Sequence, residues 1–387
     1  MRNVAFAVLL LAGGCALTDR PAGGPCASRY FQIDADFDGG AYAACRIAGR
    51  DAVELTFRPE DPGVSGAFSW YAFRATAGKP RNLDVRLLFP GSYARFWPKL
   101  SDDGTSWRPA AVDAVSRGPD NASMQLRIEA DADGTWVSAQ ELLGPTWYEV
   151  WLDNLDARPD VETAVVGTSV EARPIPLLRS AAGPETVILL GRQHPVEVPG
   201  ALAMRRFVDV LLADTPLARR FRERFTIVVL PLINPDGVVN GHARHNAGGT
   251  DLNRDWGPFT QPETASVAAL LDDLDAAGIQ PRLMLDFHAT RMTSTMLFYT
   301  QTDEDDTDPP GFAGDWLGRV DDRIDDYEFE HAPRAPSGQD NAKNYFFSRY
   351  GIPSITYEIG DEADRAAIHR YTPVFAEEMM RVLLEAD

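Results

Sequence analysis

Lysine is scarce in this chain, occurring only at Lys79, Lys99 and Lys343, so nearly every cation is an arginine. Positive charge as a whole is outweighed: 57 acidic side chains face 37 basic ones, a formal net charge of -20. Such an excess repels phosphate backbones and anionic lipid, which argues against nucleic acid as a partner. Long apolar runs are missing too. None approaches the roughly 20 residues needed to cross a bilayer, so no transmembrane segment is expected. Cysteine is limited to Cys15, Cys26 and Cys45, and none sits in a zinc-knuckle spacing or a catalytic-thiol context. Cys26 and Cys45 could close a short disulfide loop in an oxidising compartment, with two free thiols as the alternative.

The chain opens on Arg2, an apolar stretch from Val4 to Ala12, and the small-residue cluster Ala12-Gly13-Gly14-Cys15. Residues 1–15 therefore read as a secretory signal, which places the protein outside the cytoplasm, in the periplasm or at the cell surface. The cysteine after two glycines also resembles the end of a bacterial lipoprotein signal, although Ala12 stands where leucine is usual. Cys15 is thus a candidate lipid anchor, and plain secretion is the alternative.

A length of 387 residues predicts two domains. Residues 26–142 contain short β-branched and aromatic runs such as AVELTFRP and NLDVRLLF, with turns at Asp103-Gly104 and Asp133-Gly134. That pattern predicts an antiparallel β-sandwich with Trp70, Tyr71 and Phe73 in its core. The segment Asp34-Ala-Asp36-Phe-Asp38-Gly39 copies half of a calcium-binding loop, but Cys45 occupies the twelfth position, where a bidentate carboxylate is required. It reads as a turn. Residues 143–160 form a connector with a short helix. From 161 to 387 strand-like runs (TVILLG, FTIVVLPLI, RLMLDFHA, SITYEIG) alternate with helical ones. This alternation predicts an α/β/α domain around a mixed, mostly parallel sheet. The acidic run at 303–311 reads as an exposed loop.

TVILLG leads into His194-Pro-Val-Glu197, a histidine and a carboxylate three residues apart on one turn. Both can reach one zinc ion, at bonds of about 2.0–2.2 Å. His288 ends the run RLMLDF and should lie at the carboxyl end of another strand, the edge on which α/β sheets build their sites. Three protein ligands leave a fourth position for water, the arrangement of catalytic zinc. Glu358, inside the strand-like SITYEIG, is costly to bury unless it is paired or functional, and it suits the general base. Arg244 and Arg254 lie in a glycine-rich loop and suit an anionic substrate and a developing oxyanion.

In order along the chain, His194-Pro-Val-Glu197, Asn234-Pro-Asp236-Gly237, Arg244, Asp251-Leu-Asn253-Arg254, Asp286-Phe-His288 and Tyr357-Glu358 resemble the motif series of zinc carboxypeptidases. The set looks most like the cytosolic carboxypeptidase-like branch, which also carries a β-sandwich before its catalytic domain. The resemblance implies one zinc ion held by His194, Glu197 and His288, with Glu358 as general base. It further implies that Arg244 polarises the scissile carbonyl, that Asn253 and Arg254 grip the substrate's terminal carboxylate, and that Asp251 orients His194. The implied reaction is removal of the last residue of a peptide with a free C-terminus. The chain departs from the family where a mobile tyrosine usually covers the substrate: Tyr345 and Tyr327 lie nearest, and neither sits in a motif. Lys343 lies in the stretch expected to line the pocket for the departing side chain, where it suits an acidic group. The alternatives are a zinc amidase acting on cell-wall peptides or acylated amino acids, and a non-catalytic binding protein.

Overall fold

The computed structural model describes residues 26–386 apart from positions 65, 182, 292 and 336. The signal segment and Cys15 lie outside the described residues. No described helix is long and apolar enough to cross a membrane.

The first part of the chain builds two facing sheets of six and five strands. Alternation decides which side chains enter between them: along Arg81–Leu88, Leu83, Val85 and Leu87 are buried while Asn82, Asp84 and Arg86 face solvent. Trp70, Tyr71 and Phe73 join Phe57 and Phe89 in the core, as the sequence predicts. Among the described strands the pairing is antiparallel except between Ala52–Thr56 and Arg81–Leu88, which run parallel. A disulfide joins Cys26 in one sheet to Cys45 in the other.

The second part is organised on one eight-stranded sheet. Its strands are β1 (Val161–Thr168), β2 (Pro174–Ser180), β3 (Glu185–Gly191), β4 (Phe225–Leu230), β5 (Gln280–Thr290), β6 (Met296–Gln301), β7 (Phe329–Arg334) and β8 (Ser354–Gly360). Their spatial order is β1-β2-β4-β3-β5-β8-β6-β7. The central strands β4, β3, β5 and β8 are mutually parallel, and β6 runs antiparallel to β8. Strands covered on both faces should be apolar throughout, and β3 and β4 are buried along nearly all their length.

Helices cover both faces. Val187 and Leu189 of β3 point into a cluster with α2 (Val198–Leu211) and α8 (Arg365–Glu385). Ile188 and Leu190 point the other way, into a cluster with α5 (Pro262–Ala276) and α7 (Ala342–Tyr350). Helix α1 (Pro145–Asp156) contributes Tyr148, Trp151 and Leu152 to the first of these clusters, and α3 (Pro216–Arg224) and α6 (Phe312–Asp321) add Phe221 and Trp316. The fold is thus the α/β/α arrangement with a mixed sheet that the alternation predicts. Gly200 of α2 permits a close approach to the sheet, since a Cβ there would come within 2.6 Å of the His288 carbonyl oxygen.

Candidate active site

Three polar side chains buried at the carboxyl ends of β3 and β5 converge on one point. His194 and Glu197 lie on the turn between β3 and α2, and His288 is near the end of β5. The Nδ1 atom of His194 is 2.9 Å from Glu197 Oε1, and that of His288 is 2.7 Å from Glu197 Oε2. One ligand atom from each of the three lies within 4.8 Å of the others.

Outer partners define which ring nitrogens face inward. His194 Nε2 is 2.9 Å from Asp251 Oδ1, and His288 Nε2 is 2.7 Å from Asp286 Oδ2. Each imidazole donating Nε2–H outward to a carboxylate leaves its Nδ1 lone pair aimed at Glu197. Two lone pairs and a carboxylate turned toward one point repel one another unless a positive charge stands between them, which is the chemistry of a divalent-cation donor set. The titration behaviour follows the same logic. Burial opposes charge on His288, but Asp286 and Glu197 outweigh it and hold its proton affinity well above the ordinary value. For Glu197, burial raises the pKa, and the two histidines more than reverse that, leaving it far below the usual carboxylate range.

Glu358 on β8 is the lateral neighbour of His288 on β5. Its Oε2 is buried without a hydrogen-bond partner in the structure. Burial, supported by repulsion from Glu197, pushes its pKa up to about 7, against the pull of His288, His194 and Arg95. A carboxyl poised near neutrality, with a free oxygen beside a cation-binding triad, can take up and return a proton under physiological conditions.

The loops supply the remaining groups. Arg244 donates to Asp251 Oδ2 at 2.7 Å, so that one carboxylate bridges His194 and a guanidinium. Asn253 Nδ2 lies 3.2 Å from His288 Nε2, while its Oδ1 accepts the Ala342 amide at the start of α7 at 2.9 Å. Arg254 donates to the Asn253 carbonyl at 2.6 Å. Lys343 is buried on α7; its Nζ reaches the Thr300 carbonyl at 3.4 Å, and burial lowers its pKa.

The profile of the zinc carboxypeptidase family matches residues 148–373. The chain belongs to the zinc carboxypeptidase family. An uncharacterized protein of Zymomonas mobilis is 22% identical over 264 residues, 66% of this chain and 67% of that one. Human cytosolic carboxypeptidase 4 is 33% identical over 115 residues, 29% of this chain. That segment is only 10% of the human protein's length. The crystal structure of a metallo-carboxypeptidase from Burkholderia cenocepacia superposes with a TM-score of 0.75 at 21% identity, covering 92% of this chain and 98% of that chain. At that identity the likeness speaks for the fold, and it extends over the sandwich as well as the catalytic sheet. Membership of this family makes the chain a metallopeptidase by kind.

Several residues support the site in ways that the sequence alone does not assign. Asp286 belongs to the family's Asp-Phe-His run, and its placement two residues before His288 on one strand puts both side chains on the same face, a signal available from period-2 spacing. Gln193 donates to Asp286 at 2.7 Å and accepts from the Trp256 indole at 2.8 Å, extending the network behind His288. The Asn-Pro-Asp-Gly motif is structural: Asn234 caps the helix α4 (Pro235–Asn240) by accepting from the Gly237 amide at 2.9 Å. The same side chain donates to the carbonyls of Gln193 and His245, tying the ligand turn to the Arg244 loop. Asp236, fully buried, accepts from Ser169, Glu171 and Arg173. Tyr345 packs on Trp256, Phe259 and Phe346, and Tyr327 stacks on Tyr371, so both rings are committed to packing.

The sandwich also reaches this site. Arg95 forms a two-pronged, buried ion pair with Asp361, just past the end of β8, at 2.6 and 2.9 Å. It also donates to the carbonyl of Ala289, the residue after His288, at 3.3 Å. Its guanidinium lies 4.2 Å from the centre of the Phe68 ring.

Proposed function

We propose that this protein is an exported carboxypeptidase that uses one zinc ion, held by His194, Glu197 and His288, to hydrolyse the last peptide bond of peptides with a free C-terminus. The observation that carries this reading is the inward convergence of both histidine Nδ1 atoms on Glu197, beside the unpartnered oxygen of Glu358. Zinc bound there would supply Lewis acidity toward the scissile carbonyl and toward water.

Glu358 takes the proton from the attacking water and returns it to the departing amine, a double duty suited to a pKa of about 7. Arg244, oriented by Asp251, donates to the developing oxyanion. Asn253 and Arg254 receive the terminal carboxylate and so set the register at one residue from the end. Lys343, buried and bonded to a carbonyl, suits an acidic side chain on the departing residue. The disulfide between Cys26 and Cys45 supports an oxidising, extracytoplasmic location. A lipid anchor at Cys15 belongs to the same proposal and is checked by mass analysis of the mature N-terminus.

The test is digestion of a mixed peptide library with free and amidated C-termini, comparing wild type, Glu358→Gln and chelator-treated protein. Shortening of free-ended peptides alone, stopped by both treatments, is the expected result. Equal processing of amidated peptides would sink the proposal in favour of an amidase.

A further inference from the structure

We infer that Glu60, a residue of the β-sandwich, is a positioning residue for Arg244 and acts through the backbone of the loop that carries it. The inference rests on the carboxypeptidase reading of Arg244 given above. After α4 ends at Asn240 and turns at Gly241, with φ +67°, the chain has no helix or strand until the short turn at Leu252–Arg254. Backbone amides in such a loop need acceptors from elsewhere. Three consecutive ones find the same carboxylate. Glu60 Oε2 accepts from the amides of Ala243 and Arg244, each at 2.6 Å, and Oε1 accepts from that of His245 at 3.0 Å. Successive amides turned to one side form a concave anion seat, and here the protein fills it with its own side chain from 183 to 185 residues earlier.

Two apolar contacts place the same burden on the sandwich. Ala243 is buried in the sandwich core, and so is Val196, which stands between His194 and Glu197. Arg244 is therefore held at two ends by different parts of the molecule. Glu60 fixes its main chain, and Asp251 fixes its guanidinium at 2.7 Å. A group that must meet an oxyanion only in the transition state depends on such placement, and a misplacement of about 1 Å can cost on the order of 10²-fold in rate. Glutamine in place of Glu60 keeps one acceptor oxygen and loses the charge and the second acceptor, which lets the Arg244 main chain drift while the seam stays packed.

The experiment uses the full-length, zinc-loaded protein and five forms: wild type, Glu60→Gln, Arg244→Ala, the double variant of these two, and Lys99→Met. Each is measured for kcat and KM on a free-ended peptide, and for binding of a phosphonate analogue that mimics the tetrahedral oxyanion. Glu60→Gln is expected to lower kcat and phosphonate affinity by about tenfold each while KM stays within about twofold, because the terminal-carboxylate grip is elsewhere. In the Arg244→Ala background the same change should have no further effect on phosphonate affinity. Lys99→Met, which breaks the seam ion pair with Glu362, serves as the control for a merely structural weakening and should leave kcat unchanged. The inference is overturned if Glu60→Gln leaves phosphonate affinity intact, if its effect is the same with and without Arg244, or if Lys99→Met matches it. Should Arg244→Ala itself retain wild-type kcat and phosphonate binding, the reading of Arg244 fails first, and the fault is then located there.

Discussion

The two halves of the site are built by different means. His288, Asp286 and Glu358 stand on neighbouring parallel strands, β5 and β8, in the middle of the sheet, where backbone ladders fix their spacing. His194, Glu197, Arg244, Asp251 and Asn253 stand on turns and loops, and their spacing depends on side chains that pin backbone, such as Asn234 and Glu60. The sandwich serves both halves, by an ion pair at the strand ends and by a carboxylate on loop amides. A strand-borne group is placed by its own ladder, whereas a loop-borne group borrows its rigidity from elsewhere, so damage far from the chemistry should weigh more on the loop-borne half.

The sharpest division between the halves comes from Glu358→Gln. It should cost about 10²–10⁴ in kcat while zinc stoichiometry stays at that of wild type, as read by steady-state kinetics and elemental analysis. Loss of zinc in that variant would mean that Glu358 also supports the ligand set across both halves.

Next comes Arg95→Met, which strands the buried Asp361 carboxylate at the end of β8. Breaking a buried pair by removing one partner typically costs about 3–5 kcal/mol, measurable by urea unfolding. A cost below about 1 kcal/mol would show that the strand ends need no help from the sandwich.

Asp286→Asn and Asp251→Asn then compare the outer carboxylates of the two histidines. Each should weaken zinc binding by about 10–100-fold in competition with a chromogenic chelator. Only Asp251→Asn should also lower kcat in zinc-saturated protein, since only Asp251 is shared with a guanidinium. Equal kcat losses in both would erase the distinction.

The smallest effect is in pH dependence. As the proposed general base Glu358 must be ionised, so kcat/KM should rise less than tenfold per pH unit through a midpoint at or below about 7, the side toward which a bound cation draws it. Stability has the opposite slope in zinc-free protein. A carboxyl raised from 4.5 to about 7 holds its proton longer when folded than when unfolded, so its ionisation lowers stability as pH climbs through that window. Thermal melts from pH 4.5 to 7 should lose part of that decline in Glu358→Gln.

Much of this organisation is legible in the amino-acid sequence alone. TVILLG, RLMLDFHA and SITYEIG announce β3, β5 and β8 because buried parallel strands are apolar on both faces, and the chemical residues stand out at their ends. The sandwich strands are legible from alternation and Asp-Gly turns. Its role at the site is not. Glu60 and Arg95 look like ordinary charged loop residues, since their partners lie more than 180 residues away and nothing local marks them. Gln193 is hidden for a related reason, because a neutral amide next to a histidine carries no signal until Trp256 and Asp286 close around it. Lys99 is another case: its rarity by type is visible, its seam contact with Glu362 is not.

The long reach of the Glu60 contact also bears on the order of events during folding. Contacts that close such large loops form late, since chain entropy must be overcome before they yield anything. Synthesis proceeds from the N-terminus, so the sandwich can be complete before the loop at 241–249 has been made. The sandwich would then serve as a template on which the loop-borne half of the site is set, and activity is expected to emerge on refolding only after most of the regular structure has returned.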